Sequence, residues 1–342
     1  MTNGASEAVR LAFTALLRNS NDGILIPIPQ YPLYSALLTL YGGELLPYYL
    51  DESRNWGLNK DELHKLVDNA IDNGFTPRSI VVINPGNPTG QVMGRDDLES
   101  IIRLCHEKNI LICADEVYQQ NIYANGKKFI SMRKVLHEMG PPFSEEVELI
   151  SMNSVSKGVL GECGLRGGYM ELHNMSHRAE QMLYKLKSIE LCSNTVGQMA
   201  CELMVDEPHY GRESRECVEQ YNREKNYIFN GMKERAELLT STFNDMKQVT
   251  CTEIEGAMYG FPRIHFSQKF IDDAHSQGKQ PDFIYCMEMV NKTGIMTVPG
   301  SGFGQEKDTY HFRITNLVNP TSHMQQVLES LKTFNDEFHA SH

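Results

Sequence analysis

The sequence predicts an α/β protein, a doubly wound and mostly parallel sheet followed by a smaller α+β domain entered through a long helix. Two observations carry that prediction. Short apolar runs alternate with amphipathic helical patterns over the first two thirds of the 342 residues, the signature of βαβ units. After about Asp206 the pattern changes to one long helical stretch and then short, separated strands. The expected division is residues 1–215 for the larger domain and 216–342 for the smaller one, both within the size range of ordinary domains.

The elements follow in order. Gly4-Ala5-Ser6 opens a helix with Val9, Leu11, Ala12 and Leu16 apolar. Strands are expected at Gly23–Ile26 and Glu44–Tyr49. Ser79–Asn84 is a compact apolar run ending at Pro85, the profile of a strand buried on both faces. A helix from about Arg95 to Lys108 places Leu98, Ile101, Ile102 and Cys105 on one face. The strand Ile110–Ala114 comes next, and strand, helix, strand at this spacing implies parallel pairing. Further strands are expected at Val147–Asn153 and Gly167–Leu172. The long helix runs from about Glu213 to Asp245, with Val218, Tyr221, Ile228, Met232, Leu239 and Phe243 at spacings of threes, fours and sevens. Beyond it lie strands at Val249–Glu253, Ala257–Arg263, Ile295–Val298 and Tyr310–Thr315, a helix near Asp282–Thr293 and a terminal helix from about Thr321. The polar stretch Phe266–Asp282 is expected to be a surface excursion.

Composition excludes several functions. A net charge of −12 is the wrong footprint for a binder of nucleic-acid phosphates. No apolar run reaches the length of a membrane helix, because Pro27, Pro29 and Pro32 interrupt the richest one, Ile24–Tyr41. Eight scattered cysteines with no C-x-x-C pair read as thiols of a reducing compartment, several of them buried, rather than as a zinc ribbon or a disulfide framework.

Ligands of open α/β sheets bind beyond the carboxyl ends of the strands, and polar clusters stand there. Asn84-Pro85-Gly86-Asn87-Pro88-Thr89-Gly90 follows the first buried strand, and its paired Asn-Pro steps make a rigid turn that holds an asparagine amide. Asp115-Glu116-Val117-Tyr118 follows the second; a carboxylate there is costly to bury unless it meets a cation. Ser154-Val155-Ser156-Lys157-Gly158 crowds a lysine with hydroxyls at a strand end, a setting for Schiff-base chemistry. Gly164-Leu165-Arg166-Gly167-Gly168 presents an arginine between glycines, suited to phosphate. The helix start at Ala5 and Ser6 is a second anion site. Tyr31 offers a flat face for stacking, and Arg313 lies in an apolar strand of the second domain.

In this order the clusters NPGNPTG, ADEVY, SVSKG and RGGY closely resemble fold-type-I aminotransferases. The strings PIPQYPLYSA, VVINPGNPTGQV, GECGLRGGYME, LCSN and VPGSGFGQ are similar to the alanine aminotransferase group in particular. The similarity runs from Thr2 to near the C-terminus. It implies pyridoxal 5′-phosphate as cofactor and exchange of an amino group between L-alanine and 2-oxoglutarate, with glyoxylate as the alternative acceptor. On this chain it implies Lys157 as the residue that binds the cofactor and moves the substrate proton, and Asp115 as partner of the pyridine nitrogen. Asn87 and Tyr118 would bind the ring 3-oxygen, and Tyr31 would stack on the ring. Ala5, Ser6, Ser154 or Ser156, and Arg166 would hold the phosphate, and Arg313 the substrate α-carboxylate. The resemblance also implies a homodimer with small-molecule partners only.

The family places an arm, helices and a first strand before the Gly-Ala-Ser turn, so the sequence reads as an N-terminally shortened chain, expected to have an exposed sheet edge and poor solubility. The compartment is then read as cytoplasmic, with mitochondria as the alternative. Two other function classes compete. A non-catalytic cofactor-binding relative is opposed by the intact Lys157, Asp115, Tyr118 and Arg313. An oxidoreductase suggested by Gly300-Ser301-Gly302-Phe303-Gly304 is opposed by the position of that string, late and not between a strand and a helix.

Overall fold

The computed structural model describes residues 1–159 and 161–342. Helix α1 (Ala5–Leu16) leads into strand β1 (Asp22–Ile28), α2 (Leu33–Tyr41), β2 (Glu44–Asp51), β3 (Gly57–Leu58) and α3 (Lys60–Asp72). The pattern continues with β4 (Thr76–Ile83), α4 (Arg95–Lys108), β5 (Leu111–Asp115), α5 (Met132–Met139), α6 (Phe143–Glu146), β6 (Leu149–Ser154) and β7 (Gly168–His173). Among the described residues the main sheet has the order β3-β2-β1-β4-β5-β6-β7. Pairs from β2 through β6 are parallel, and β3 and β7 close the two edges antiparallel.

The alternation of side chains along buried strands explains why helices cover both faces. Leu25, Ile80, Val82 and Ile112 point one way, into a layer with Val67 of α3, Ile101 and Ile102 of α4 and Val135 of α5. Their neighbours Ile24, Ile26, Val81, Ile83 and Cys113 point the other way, against Val9 and Phe13 of α1 and Tyr34 and Leu38 of α2. Helix α4 has the limits its apolar periodicity predicts, and Asn109 ends it in the left-handed conformation.

After β7 come α7 (His177–Ser188), α8 (Thr195–Val205) and α9 (Arg215–Asn244), the last 30 residues long with Ser214 capping it through the Cys217 amide. The remainder is β8 (Val249–Thr250), β9 (Tyr259–Gly260), β10 (Arg263–Ile264), α10 (Gln268–Ser276), α11 (Pro281–Thr293), β11 (Val298–Pro299), β12 (Phe312–Thr315) and α12 (Thr321–Ser341). Met232, Leu239 and Phe243 of α9 pack with Tyr285, Phe312, Leu328, Phe334 and Phe338 in a core of their own. The strands here are shorter than expected. Ala257–Arg263 in particular is two separate pieces, β9 pairing with β12 and β10 with β8.

One expectation is overturned. Phe266–Asp282 is not a surface excursion: it contains α10, which buries Phe270 and Ala274. Phe266 packs on Phe270 and Tyr285 at 5.0 and 5.8 Å between ring centroids. Asp282 is fully buried and accepts the Ser301 amide at 2.6 Å and the Gln305 side chain at 3.1 Å. The polar residues of the stretch face solvent from a short amphipathic helix, and Asp282 satisfies backbone amides beside the start of α11.

Candidate active site

The direction of winding places the site. From β1 the chain moves to β2 on one side and then, through α3, to β4 on the other. Strand order therefore reverses between β1 and β4, and a crevice opens at their carboxyl ends. A cavity of about 230 Å³ lies there. Ala5, Ser6, Tyr31, Asn87, Asp115, Tyr118, Ser154, Ser156, Lys157, Arg166 and Arg313 all line it, so every residue singled out from sequence meets in one place. A more apolar cleft of about 310 Å³ sits on the far side of Lys157, bounded by Val155, Leu165, Leu203, Met204 and Tyr221. Of its polar lining, Lys225 and Glu207 pair with each other, and it contains none of Asn87, Asp115, Arg166 or Arg313, so the smaller cavity is the better candidate.

Asp115 ends β5 and is buried. Burial pushes its carboxyl above the ordinary range, while hydrogen bonds from Tyr34 and the Val117 amide and the charge of Lys157 act in the opposite sense. Tyr34 Oη donates to Asp115 Oδ2 at 2.5 Å, and the Val117 amide reaches Oδ1 at the longer distance of 3.4 Å. The carboxylate keeps acceptor capacity on Oδ1 and lines the cavity, where a cation would offset its desolvation. Lys157 follows the end of β6 and is half-buried. Among the described residues its amine has no hydrogen-bond or ion-pair partner, which leaves it free to react.

The opposite end of the cavity is built for an anion. Helix α1 starts at Gly4 with no side chain capping its first amides, leaving them to an incoming ligand. Arg166 donates to the Asn3 carbonyl at 2.8 Å and to the Cys163 carbonyl at 3.0 Å, which fixes the guanidinium beside that helix start. Gly4 is required on two grounds: its φ is +82°, and a Cβ there would lie 2.4 Å from Arg166 Nη2. Ser154, which accepts the Ser156 amide at 3.4 Å, and Ser156 add hydroxyls between this cradle and Lys157.

At the mouth, Arg313 of β12 is held from three sides. Its Nη1 donates to Asn87 Oδ1 at 2.9 Å, and its guanidinium lies 4.2 Å from the Tyr259 ring and 4.8 Å from Phe303. The Asn87 amide reaches Tyr118 Oη at 3.5 Å, and that phenol donates to Tyr259 Oη at 3.4 Å. Burial, together with Tyr259 and Asp115, pushes the Tyr118 hydroxyl well above its ordinary range. The glycine-rich string Gly300–Phe303 is a 3₁₀ turn, not a nucleotide-binding loop, and it delivers Phe303 to Arg313. Tyr34, Cys163, Tyr259 and Phe303 were not identified from sequence. Tyr34 stands in the string PIPQYPLYSA with no role assigned to it there, Cys163 lies in the turn between Lys157 and Arg166, and Tyr259 and Phe303 reach the site only through contacts between distant segments.

Comparison with known proteins bears directly on this arrangement. The family profile described as aminotransferase class I and II matches residues 1–331. The chain belongs to that aminotransferase family. Among curated relatives, this aminotransferase is 46% identical over 338 residues to glutamate–glyoxylate aminotransferase 1 of Arabidopsis thaliana, covering 99% of the chain and 69% of the relative. It is 45% identical over 339 residues to a probable mitochondrial alanine aminotransferase of Dictyostelium discoideum, covering 99% and 62%. With alanine aminotransferase 2 of Panicum miliaceum it shares 44% over 342 residues, covering 100% and 70%. Its structure superimposes on an alanine aminotransferase from Pyrococcus furiosus with a TM-score of 0.81 at 28% identity, covering 98% of this chain and 75% of that one. The fold is that of fold-type-I transferases, as an aspartate aminotransferase from Thermotoga maritima also indicates (TM-score 0.74, 23% identity, 97% and 74% covered). The aminotransferase family is generally dependent on pyridoxal phosphate.

Proposed function

We propose that the cavity at the β1/β4 switch point binds pyridoxal phosphate and transfers the amino group of L-alanine to 2-oxoglutarate in two half-reactions. The observation that carries this reading is the convergence, in one cavity, of a lysine amine without a partner among the described residues, a buried carboxylate and an anion cradle. Such a cavity fits a flat cationic ring with a phosphate at one end and an aldehyde near Lys157. When bound, pyridoxal phosphate supplies a carbonyl that takes up the amino group and a ring that accepts electrons from the substrate Cα.

The residues divide the remaining work. Ala5, Ser6, Ser154, Ser156 and Arg166 hold the phosphate through amides, hydroxyls and a guanidinium. Asp115 balances the charge of the ring nitrogen, and Tyr31 covers a ring face at the open side. Asn87 and Tyr118 donate to the ring oxygen. Lys157 Nζ holds the cofactor and then, once displaced, takes the proton from the substrate Cα. Arg313 receives the α-carboxylate, its guanidinium already oriented by Asn87, Tyr259 and Phe303, so little order is lost on binding.

Glyoxylate is the alternative acceptor, a reading supported by the two Arabidopsis thaliana relatives named for it. Parallel assays of pyruvate release from L-alanine with 2-oxoglutarate and with glyoxylate decide between them. A kcat/KM at least about tenfold higher with 2-oxoglutarate supports the main reading, and the reverse ratio overturns it. A homodimer is part of the reading. Tyr184, Ile189, Leu191, Met199, Leu203 and Val205 are more than half exposed along α7, α8 and the segment between them, a concentration of apolar surface suited to a second copy. Eight free thiols suit a reducing compartment, cytoplasm or mitochondrial matrix.

A further inference from the structure

We propose that Tyr34 is a positioning residue for this chemistry: its phenol fixes the Asp115 carboxylate and keeps it ionised opposite the ring nitrogen. The inference rests on the function proposed above and assigns a role to a side chain that touches neither cofactor nor substrate. Tyr34 is fully buried on α2, its ring 6.2 Å from that of Phe13. Its hydroxyl donates to Asp115 Oδ2 at 2.5 Å, the shortest hydrogen bond Asp115 makes among the described residues. The other donor, the Val117 amide, stands at 3.4 Å. A carboxylate this deeply buried tends toward its neutral form, and a neutral acid would leave the ring nitrogen without its counter-charge. Tyr34 opposes that tendency on one oxygen and leaves the other, on a carboxylate that lines the cavity, with only the longer Val117 contact.

Other ionisable groups near Asp115 do not substitute for it. Lys157, beyond β6, lends it positive charge, but its amine is committed to the reaction. Tyr118 and Glu116 follow it in the chain; both feel its negative charge, and neither donates to it. Cys113, two residues before it, lies near Tyr34 and adds no hydrogen bond to either. Tyr34 suits the task because burial and the adjacent carboxylate push its hydroxyl well above the ordinary range. It therefore remains a donor at every working pH.

The test uses the full chain loaded with pyridoxal phosphate isotopically labelled at the ring nitrogen. In the wild-type chain the nitrogen resonance is expected at its protonated position. In Tyr34→Phe, which keeps the ring and its packing, it moves toward the neutral position, because the shared proton shifts to a less stabilised carboxylate. In the same variant kcat for the alanine half-reaction falls at least about tenfold while KM, set at Arg313, changes little. An unmoved resonance with unchanged kcat overturns the inference and leaves the proposed function standing. A wild-type chain that takes up no cofactor overturns both. If Tyr34→Phe does not fold, fluorotyrosine placed at position 34 serves instead. Its fluorine resonance is expected to move on loading with pyridoxal phosphate, and less with a deaza analogue carrying carbon in place of the ring nitrogen. Equal movement with both overturns the inference.

Discussion

Arg313 shows how much a single side chain depends on its surroundings here. It lies over Tyr259 and Phe303 and is tied to Asn87 at 2.9 Å, so its planar fork is presented in one orientation. Arg313→Lys keeps the charge and loses the fork. Steady-state kinetics should show KM for both alanine and 2-oxoglutarate rising about 10- to 100-fold, with a smaller change in kcat. A change confined to kcat would contradict a carboxylate-binding role. The residues that carry a reactive group at or just after a strand end (Asn87, Asp115, Lys157) were legible in the sequence, because strand ends in a parallel sheet face one crevice, and Arg166 was legible from its glycine neighbours just before β7. Tyr34 and Tyr259 were not. The first fell in a stretch given no element in the sequence, and its hydroxyl finds its partner only when the fold brings it to Asp115, 81 residues on; the second arrives from a segment 141 residues beyond Tyr118.

Among elements, the start of α1 has the narrowest tolerance. Gly4→Ala puts a methyl group into the Arg166 guanidinium at a backbone φ that alanine resists. Affinity for pyridoxal phosphate, measured by equilibrium dialysis, should fall at least about tenfold as Arg166 is displaced, and stability by about 1–3 kcal/mol. Unchanged affinity would remove Arg166 and the helix start from the phosphate site. Elements with strong periodicity were read correctly. Helix α4 has an unbroken i, i+3, i+4, i+7 face, and the long helix α9 a sustained one. Helix α10 was misread because only Phe270 and Ala274 turn inward, too few to stand out against its polar residues. The pieces of Ala257–Arg263 were merged for the converse reason: the segment is apolar up to Arg263, and the break between β9 and β10 comes from pairing with different strands.

At the scale of the whole molecule, stability is sensitive to pH through the residue that follows β5. Burial, with Asp115 and Glu171 adding negative charge, pushes the Glu116 carboxyl up to about 7. Between the ordinary glutamate range and that value the folded chain holds a proton that the unfolded chain has released. Stability therefore falls as pH rises through this window. Glu116→Gln can still accept the Met132 amide, now made at 2.7 Å, and carries no charge. It should flatten that dependence, raising stability at pH 8 by the order of 3 kcal/mol relative to its effect near pH 4. Parallel pH profiles of thermal unfolding check this, and parallel slopes for the two proteins would contradict it. Assembly is tested at the same scale. Sedimentation velocity should show a dimer, and Leu203→Glu, on the exposed face of α8, should shift it to monomer. A wild-type monomer at micromolar concentration would remove the second copy from that face.

The most direct measurement is the absorption spectrum of the purified chain on addition of pyridoxal phosphate and then L-alanine, with Lys157→Ala alongside. The account predicts a visible band in the wild-type chain that alanine bleaches as pyruvate appears. In the variant that band is absent and pyruvate formation falls at least about 10³-fold. A wild-type chain that forms no band, or a variant that forms it and releases pyruvate at the wild-type rate, would contradict the assignment of this cavity and of Lys157.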